Sequence, residues 1–404
     1  MTSLWGEGPL SVGFGEADLA AWIGHRMPGH ELRTEPASAL LDRLAVRSVV
    51  LRAAGLTVAL VVADVIAIDS ELEEQISCAA ANAAGGGDPR VLVAATHTHT
   101  GPPVFALAGV DAFGLARRDL VAAATRATID AVADLHTVSE IEIRRAGNPF
   151  AVNRRLPTPE GVVMQPNTHG AADKHVSLIT FRAGEHAGGS ICVLPMHPTV
   201  LAPRISGLSG DVPGAISSLL RTSGRFGALS LTVQGASGNV RPFITDEQGQ
   251  FAGGGEEDVW RMARAITDAL LRQEPQAAMI IEGFRYADRT VALHRVDASA
   301  TGGVSKESAQ VSAIMLGQRL GMVFLPGEPF AELAEEVGRR SPFEITLVAG
   351  HTGATVGYIP TLEASKEGGY EVSDGHEAYG FAGALAGDSA EILAAAAREV
   401  LSAV

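Results

Sequence analysis

At 404 residues the chain exceeds the size at which a single hydrophobic core usually stops growing, so one large catalytic domain or two packed lobes are both open. Its 31 Lys and Arg against 46 Asp and Glu give a formal charge of −15, which repels phosphate backbones and anionic membrane surfaces and argues against a nucleic-acid partner. Only Cys78 and Cys192 are present, in apolar or helical stretches; this fits buried thiols in a reducing compartment better than a disulfide framework.

The amino terminus lacks a basic segment followed by a long apolar run, so a cytoplasmic protein is expected. Short Val/Ile/Leu-rich runs alternate with Ala-rich helical stretches, the pattern of sheets covered by helices. In chain order, strands are predicted over 48–51, 57–63, 90–95, 141–144, 177–181, 191–195, 229–234, 279–286, 322–325 and 344–348. Helices are predicted over 70–83, 117–135, 257–273, 329–340 and 390–403, with amphipathic or Ala-rich faces. Loops are expected over 100–104, 148–175, 202–214, 235–255 and 350–379. The apolar runs are far shorter than the roughly 20 residues of a membrane helix, so no membrane anchoring is expected. A weak boundary near 273–276 is the one place where two lobes can be divided; otherwise 1–404 reads as a single catalytic unit.

Several predicted strands break off into metal-ligand chemistry. After 90–95 comes Thr96-His97-Thr98-His99-Thr100-Gly101-Pro102. In extended backbone, residues two apart face the same way, so His97 and His99 can converge on one ion or one substrate, or be two structural histidines. After 191–195 comes Met196-His197-Pro198-Thr199, and Pro198 disfavours a helical His197. After 322–325 comes Pro326-Gly327-Glu328, a carboxylate at a helix start. After 344–348 comes Gly350-His351-Thr352-Gly353, leading to Tyr358 in a Gly-rich loop.

In open α/β sheets, ligands bind beyond the carboxyl ends of strands, so these groups are expected to meet. Two imidazoles and a carboxylate with an open position form the shell of a catalytic zinc, which polarises a carbonyl and lowers the pKa of bound water to about 7. No GxSxG elbow, HExxH helix or P-loop is present. The expected fold is α/β (α+β): mixed sheets packed together, flanked by helices, with zinc at strand ends in a central cleft.

Read in order, Val46-Arg47-Ser48-Val49-Val50-Leu51, the 96–102 run, Val152-Asn153-Arg154-Arg155, Met196-His197-Pro198-Thr199, Leu208-Ser209-Gly210-Asp211-Val212-Pro213-Gly214, the 234–242 segment, Pro326-Gly327-Glu328 and Gly357-Tyr358-Ile359-Pro360-Thr361 with Gly369-Tyr370-Glu371 resemble the neutral/alkaline non-lysosomal ceramidase family. The resemblance spans nearly the whole chain and covers that family's N-terminal catalytic domain, leaving no room for its C-terminal immunoglobulin-like domain. It implies a Zn2+ held by His97, His197, Glu328 and Tyr358. It also implies that His99 and Arg154 line the scissile amide, polarise its carbonyl and stabilise the oxyanion.

One departure is informative: Gly238-Asn239-Val240-Arg241-Pro242 carries Arg241 where such enzymes have an active-site serine. A serine acyl-enzyme at that position is therefore excluded. Arg241 is expected either to bind a substrate carboxylate or phosphate, assisting catalysis, or to form a structural salt bridge. Ser237 reads as a turn-stabilising hydroxyl. Asp211 and Asp64 read as groups that orient a histidine or loop, or as turn and cap residues. Tyr370 and Glu371 are expected to line the pocket, whereas His351 and His376 read as exposed or structural.

Together these observations point to a zinc-dependent amidase acting on a small soluble N-acyl or amide compound. The missing serine and second domain argue against a long-chain sphingolipid. An esterase, lactonase or deacetylase on the same metal, or a non-catalytic metal-binding protein, is the alternative. A homo-oligomer is compatible with the sequence.

Overall fold

The computed structural model describes residues 1–184, 186–297 and 304–403, and it has two mixed sheets face to face with helices outside both. In the ten-stranded sheet the main path runs Ile345–Ala349, Leu320–Phe324, Val304–Leu316, Gly283–Asp297, Thr2–Asp18, Ala45–Ala54, Leu56–Ala63, Arg90–Ala95. The five-stranded sheet runs Ser230–Gln234, His186–Leu194, His175–Ala183, Glu140–Gly147, Ala277–Met279. The larger sheet draws strands from both sides of 273–276, since Thr2–Asp18 pairs directly with Gly283–Asp297.

Strand alternation explains the layering. Val49, Leu51, Leu60 and Val62 face the second sheet and pack with Ile179, Phe181, Ile191 and Val233. The intervening Val61 and Ala63 face outward onto the helices Ser70–Ala84 and Gly114–Ala133 through Ile76, Leu120 and Ala124. Leu178 and Cys192 point the other way, onto Ile216, Met262 and Ile266 of the helices Asp211–Ser223 and Glu256–Arg272. A period of two thus sorts neighbouring residues into different cores. The helix Gly114–Ala133 lies so close to the first strand that a Cβ on Gly15 would sit 2.1 Å from the Ala127 carbonyl oxygen.

The sheets are largely antiparallel, with parallel pairs at edges: Leu56–Ala63 with Arg90–Ala95, Leu320–Phe324 with Ile345–Ala349, and His186–Leu194 with Ser230–Gln234. A parallel pair needs a crossover, and each has a helix between its strands: Ser70–Ala84, Ala331–Arg339 and Asp211–Ser223. The carboxyl ends of these strands are where the predicted site residues lie.

Several expectations are corrected. The long strands Thr2–Asp18 and Val304–Leu316 were not predicted; glycines interrupt the first, and polar residues with weak alternation open the second. The predicted 279–286 strand is two strands in different sheets, Ala277–Met279 and Gly283–Asp297. The expected 148–175 loop holds a hairpin, Ala151–Thr158 with Gly161–Asn167. Cys192 is buried, but Cys78 is exposed on its helix, facing away from the buried Leu72, Ile76 and Ala80.

Candidate metal centre

Each strand-end residue is aimed by a backbone contact. The Nδ1 of His97 lies 2.7 Å from the Ile66 carbonyl, that of His197 2.7 Å from the Ser237 carbonyl, and that of His99 2.8 Å from the Gly29 carbonyl. A carbonyl oxygen only accepts, so each Nδ1 carries the proton and each Nε2 is left with a bare lone pair. Those lone pairs converge: His97 Nε2 is 3.1 Å from His197 Nε2 and 3.2 Å from His99 Nε2. Glu328 Oε2 completes a triangle, 3.1 Å from His197 Nε2 and 3.4 Å from His97 Nε2.

Facing lone pairs and a carboxylate oxygen repel one another unless a cation lies between them. Glu328 Oε2 is buried without a hydrogen-bond donor, as expected of an atom reserved for a metal. A tetrahedral ion with bonds of about 2.0–2.1 Å holds its donors roughly 3.3 Å apart, the spacing of this triangle. His97, His197 and Glu328 are essentially sealed from solvent. The donor set fits a metal.

The surroundings tune these groups. Burial, then the field of Arg154, pushes His197 down to about 4, and burial with neighbouring imidazoles lowers His99 and His351 well below the usual histidine range. The rings are therefore neutral at pH 7, the form that ligates a metal. Burial opposes charge on Glu328, yet the imidazoles beside it hold its carboxyl well below the usual carboxylate range. His97 and His351 both adopt positive φ, 64° and 53°, which is strained backbone of the kind functional sites retain.

Tyr358 stands beside Glu328 as its partner in a two-residue parallel ladder, with its ring under the Arg154 guanidinium 5.4 Å away. Arg154 is fixed by two bonds, Nε to Glu371 Oε1 at 2.6 Å and Nη2 to the Gly238 carbonyl at 2.7 Å. Glu371 also accepts from Arg155 Nη1 at 2.8 Å, so one buried carboxylate serves two guanidiniums. Tyr370 packs edge-on against Tyr358, and burial pushes its hydroxyl up to about 12. Arg241 is half-buried on the strand that pairs with Ala151–Thr158.

Distance alone does not separate His99 from His97 and His197, since its Nε2 joins the same cluster. Ser237 is buried, accepts from Gln234 Nε2 at 2.6 Å and supplies the carbonyl that orients His197. Asp211 accepts the backbone N–H groups of Val200 and Leu201, holding the turn after His197. Asp64 pairs with Arg47 and caps Ala45 N–H, touching no histidine.

Tyr379 and His30 escaped the sequence reading, whereas His351 and His376 read there as exposed or structural. His351 is buried, stacked on His97 at 3.9 Å between ring centroids, with neither ring nitrogen hydrogen-bonded. It follows strand Ile345–Ala349 as His97 follows Arg90–Ala95, so the strand-end signal was present. His376 is also buried. Tyr379 donates its hydroxyl to Glu328 Oε1 at 2.5 Å, and nothing in its Ala-Tyr-Gly context marks it. His30 lies 5.1 Å from His99 in an irregular segment that crosses the centre, where Gly29 (φ 112°) comes so near that a Cβ would meet His99 Nδ1 at 2.8 Å. A crevice of about 1020 Å³ lined by Lys174, Ala331 and Glu344 holds none of these groups.

With this geometry in place, the whole chain can be compared with solved proteins. The structure of a neutral ceramidase from Pseudomonas aeruginosa superposes with a TM-score of 0.74 at 17% identity, covering 97% of this chain and 74% of that one. The chain has the neutral ceramidase fold. A second structure, a ceramidase complexed with C2, gives 0.78 at 16% identity over 97% of this chain and 75% of the other. No family model and no curated protein matches the sequence. Within this ceramidase fold no helix among the described residues is long and apolar enough to cross a membrane.

Proposed function

We propose that this chain is a zinc-dependent hydrolase that cleaves the carbon–nitrogen bond of a small soluble amide or N-acyl compound, with His97, His197, Glu328 and Tyr358 as ligands. The triangle of His97 Nε2, His197 Nε2 and the donorless Glu328 Oε2 carries this reading, and the likeness to two ceramidase structures supports it. When bound, zinc supplies Lewis acidity toward a carbonyl and brings the pKa of a coordinated water near 7.

The chain's own groups divide the remaining work. His99 donates Nδ1–H to Gly29 and so presents a proton acceptor at Nε2, in place of the carbonyl-polarising role that the resemblance implies. It therefore takes a proton from the attacking water and returns it to the departing amine. Arg154 holds Nε and Nη2 on fixed acceptors and bonds Tyr358, which keeps its guanidinium in place to stabilise the oxyanion. Tyr370 and Arg241 face the substrate. Glu371 anchors Arg154, and Tyr379 steadies the metal-binding carboxylate.

The test is metal analysis combined with turnover of an amide panel, repeated on His97→Ala and Glu328→Ala. Metal-dependent turnover that both substitutions abolish is expected. Bound metal without turnover of any amide would overturn the reading, and efficient cleavage of ceramide alone would overturn the substrate assignment.

A further inference from the structure

Arg241 stands opposite Val152 in the antiparallel ladder, two residues before Arg154, and the Arg154 charge acts on Arg241. Their surroundings differ. Arg154 and Arg155 share Glu371, and Arg33 donates to the carbonyls of His99 and Pro203. Arg241 has no carboxylate among the described residues: its guanidinium rests over the Phe251 ring at 4.9 Å with Met164 Sδ 3.8 Å from Nη1. The structural salt bridge considered for this residue is absent among the described residues.

An arginine held half-buried between an aromatic face and a thioether retains its donors for something else. Arg241 lies within the field of Arg154 and Tyr358 and is felt by His30, which also senses His197. This places its charge beside the candidate metal centre. Burial and the Arg154 charge push it down only to about 10, so it stays cationic at neutral pH. The buried carboxylates beside it are committed, Glu328 to the histidines and Glu371 to Arg154 and Arg155, while Glu31, within the field of Tyr370, is exposed. On a chain of net charge −15, the centre is therefore locally cationic, with Arg33 bonded to carbonyls and Arg241 bonded to no oxygen among the described residues.

We infer that Arg241 is the recognition site for an anionic oxygen group carried by the substrate, so that the amide cleaved is an acidic one, such as an N-acyl amino acid. The inference rests on the amidase reading above for the scissile bond, and on the Arg241 guanidinium for the charge. Planar N–H pairs match a carboxylate in bidentate geometry, and a phosphate presents the same chemistry. The Phe251 face keeps the guanidinium in place, Nη1 meets only the weak acceptor Met164 Sδ, and no oxygen acceptor is bonded to it among the described residues.

The test uses the metal-loaded full chain as wild type, Arg241→Met and Arg241→Lys, each checked for an unchanged melting profile. Substrates are N-acyl amino acids, their neutral carboxamides and N-acyl aminoalkyl phosphates of equal chain length. In wild type, kcat/KM is expected to favour an acidic series over the neutral one by roughly 10- to 100-fold, as charge-assisted bidentate pairs do. The ratio should fall to about one in Arg241→Met and lie between in Arg241→Lys, while the preferred acidic series distinguishes carboxylate from phosphate. An equal or neutral preference in wild type, or a ratio that survives in Arg241→Met, would overturn the inference. If no amide is turned over, the hydrolase reading fails separately. Titration calorimetry with the same acidic compounds then decides: binding lost in Arg241→Met supports recognition by Arg241, and no binding to wild type or equal binding to both refutes it.

Discussion

Glu371 offers the sharpest perturbation because a single carboxylate holds two buried cations. Arg154 Nε reaches Oε1 at 2.6 Å and Arg155 Nη1 reaches Oε2 at 2.8 Å, with all three side chains almost fully buried. Replacing it by glutamine keeps one acceptor but turns an NH2 donor toward the other guanidinium. Arg154 then loses its counter-charge in a site water reaches poorly, and Arg155 keeps only the half-exposed Glu367 at 3.4 Å. Breaking a buried pair of this kind costs about 3–5 kcal/mol, chiefly because the surviving charge is left uncompensated. A 404-residue chain has an unfolding entropy of roughly 0.85 kcal/mol/K from about 2.1 cal/mol/K per residue, so Glu371→Gln should lower Tm by roughly 4–6 °C. Calorimetry of Glu371→Gln, Arg154→Met and the double variant measures this, and the double variant should cost less than the sum of the singles. A melting temperature within about 1 °C of wild type, or strict additivity, would refute the claim that Glu371 anchors Arg154.

Zinc added to metal-free protein at about 100-fold over its dissociation constant should stabilise it by about 2.7 kcal/mol, seen as a Tm rise that Glu328→Gln abolishes. Tyr379→Phe removes the donor to Glu328 Oε1 and should weaken zinc binding roughly 10- to 100-fold, measured by competition with a chelator. Acid should destabilise the metal-free protein. His197 and His30 lie at about 4 and about 3 when folded against about 6.5 unfolded, so the unfolded state binds more protons and stability falls as pH drops from 6.5 toward 4, by on the order of 1 kcal/mol per unit for each group. Urea unfolding across that range checks the sign; a metal-free protein that is most stable at pH 4.5 would contradict it.

The parts legible in the sequence were those with strong local grammar. Val58–Val62 is an unbroken apolar run buried on both faces and forms a strand, and Asp69 caps the helix Ser70–Ala84 by accepting Leu72 N–H at 2.8 Å, one residue before the predicted start. His97, His197 and Glu328 were found because each follows an apolar run. Thr2–Asp18 was missed because five glycines or prolines break its pattern, though tertiary pairing on both sides enforces extension. His30 and Tyr379 were invisible for a different reason: they reach the centre through loops, whose path depends on contacts such as Gly29 to His99 that no local pattern encodes.

The candidate metal centre follows from how the sheet edges are closed. Parallel edge pairs demand helical crossovers, and a crossover leaves the strand ends without a tight hairpin, free to present side chains. Here the edge strands are tied together beyond those ends: Ala95 N–H donates to the His351 carbonyl, Gly353 N–H to the Val93 carbonyl, and Gly350 N–H to the Gln234 carbonyl. The segment carrying His351 is thus stitched to the strands before His97 and before Ser237, and Ser237 in turn orients His197. Glu328 N–H donates to the Gly357 carbonyl, which fixes Tyr358 beside it. Strain at His97 and His351 is sustained by this mesh of backbone bonds, so relaxing one strand end would displace the others. The ligand triangle is consequently a property of both sheets at once, and a substitution that loosens either sheet edge should weaken metal binding even where it touches no ligand.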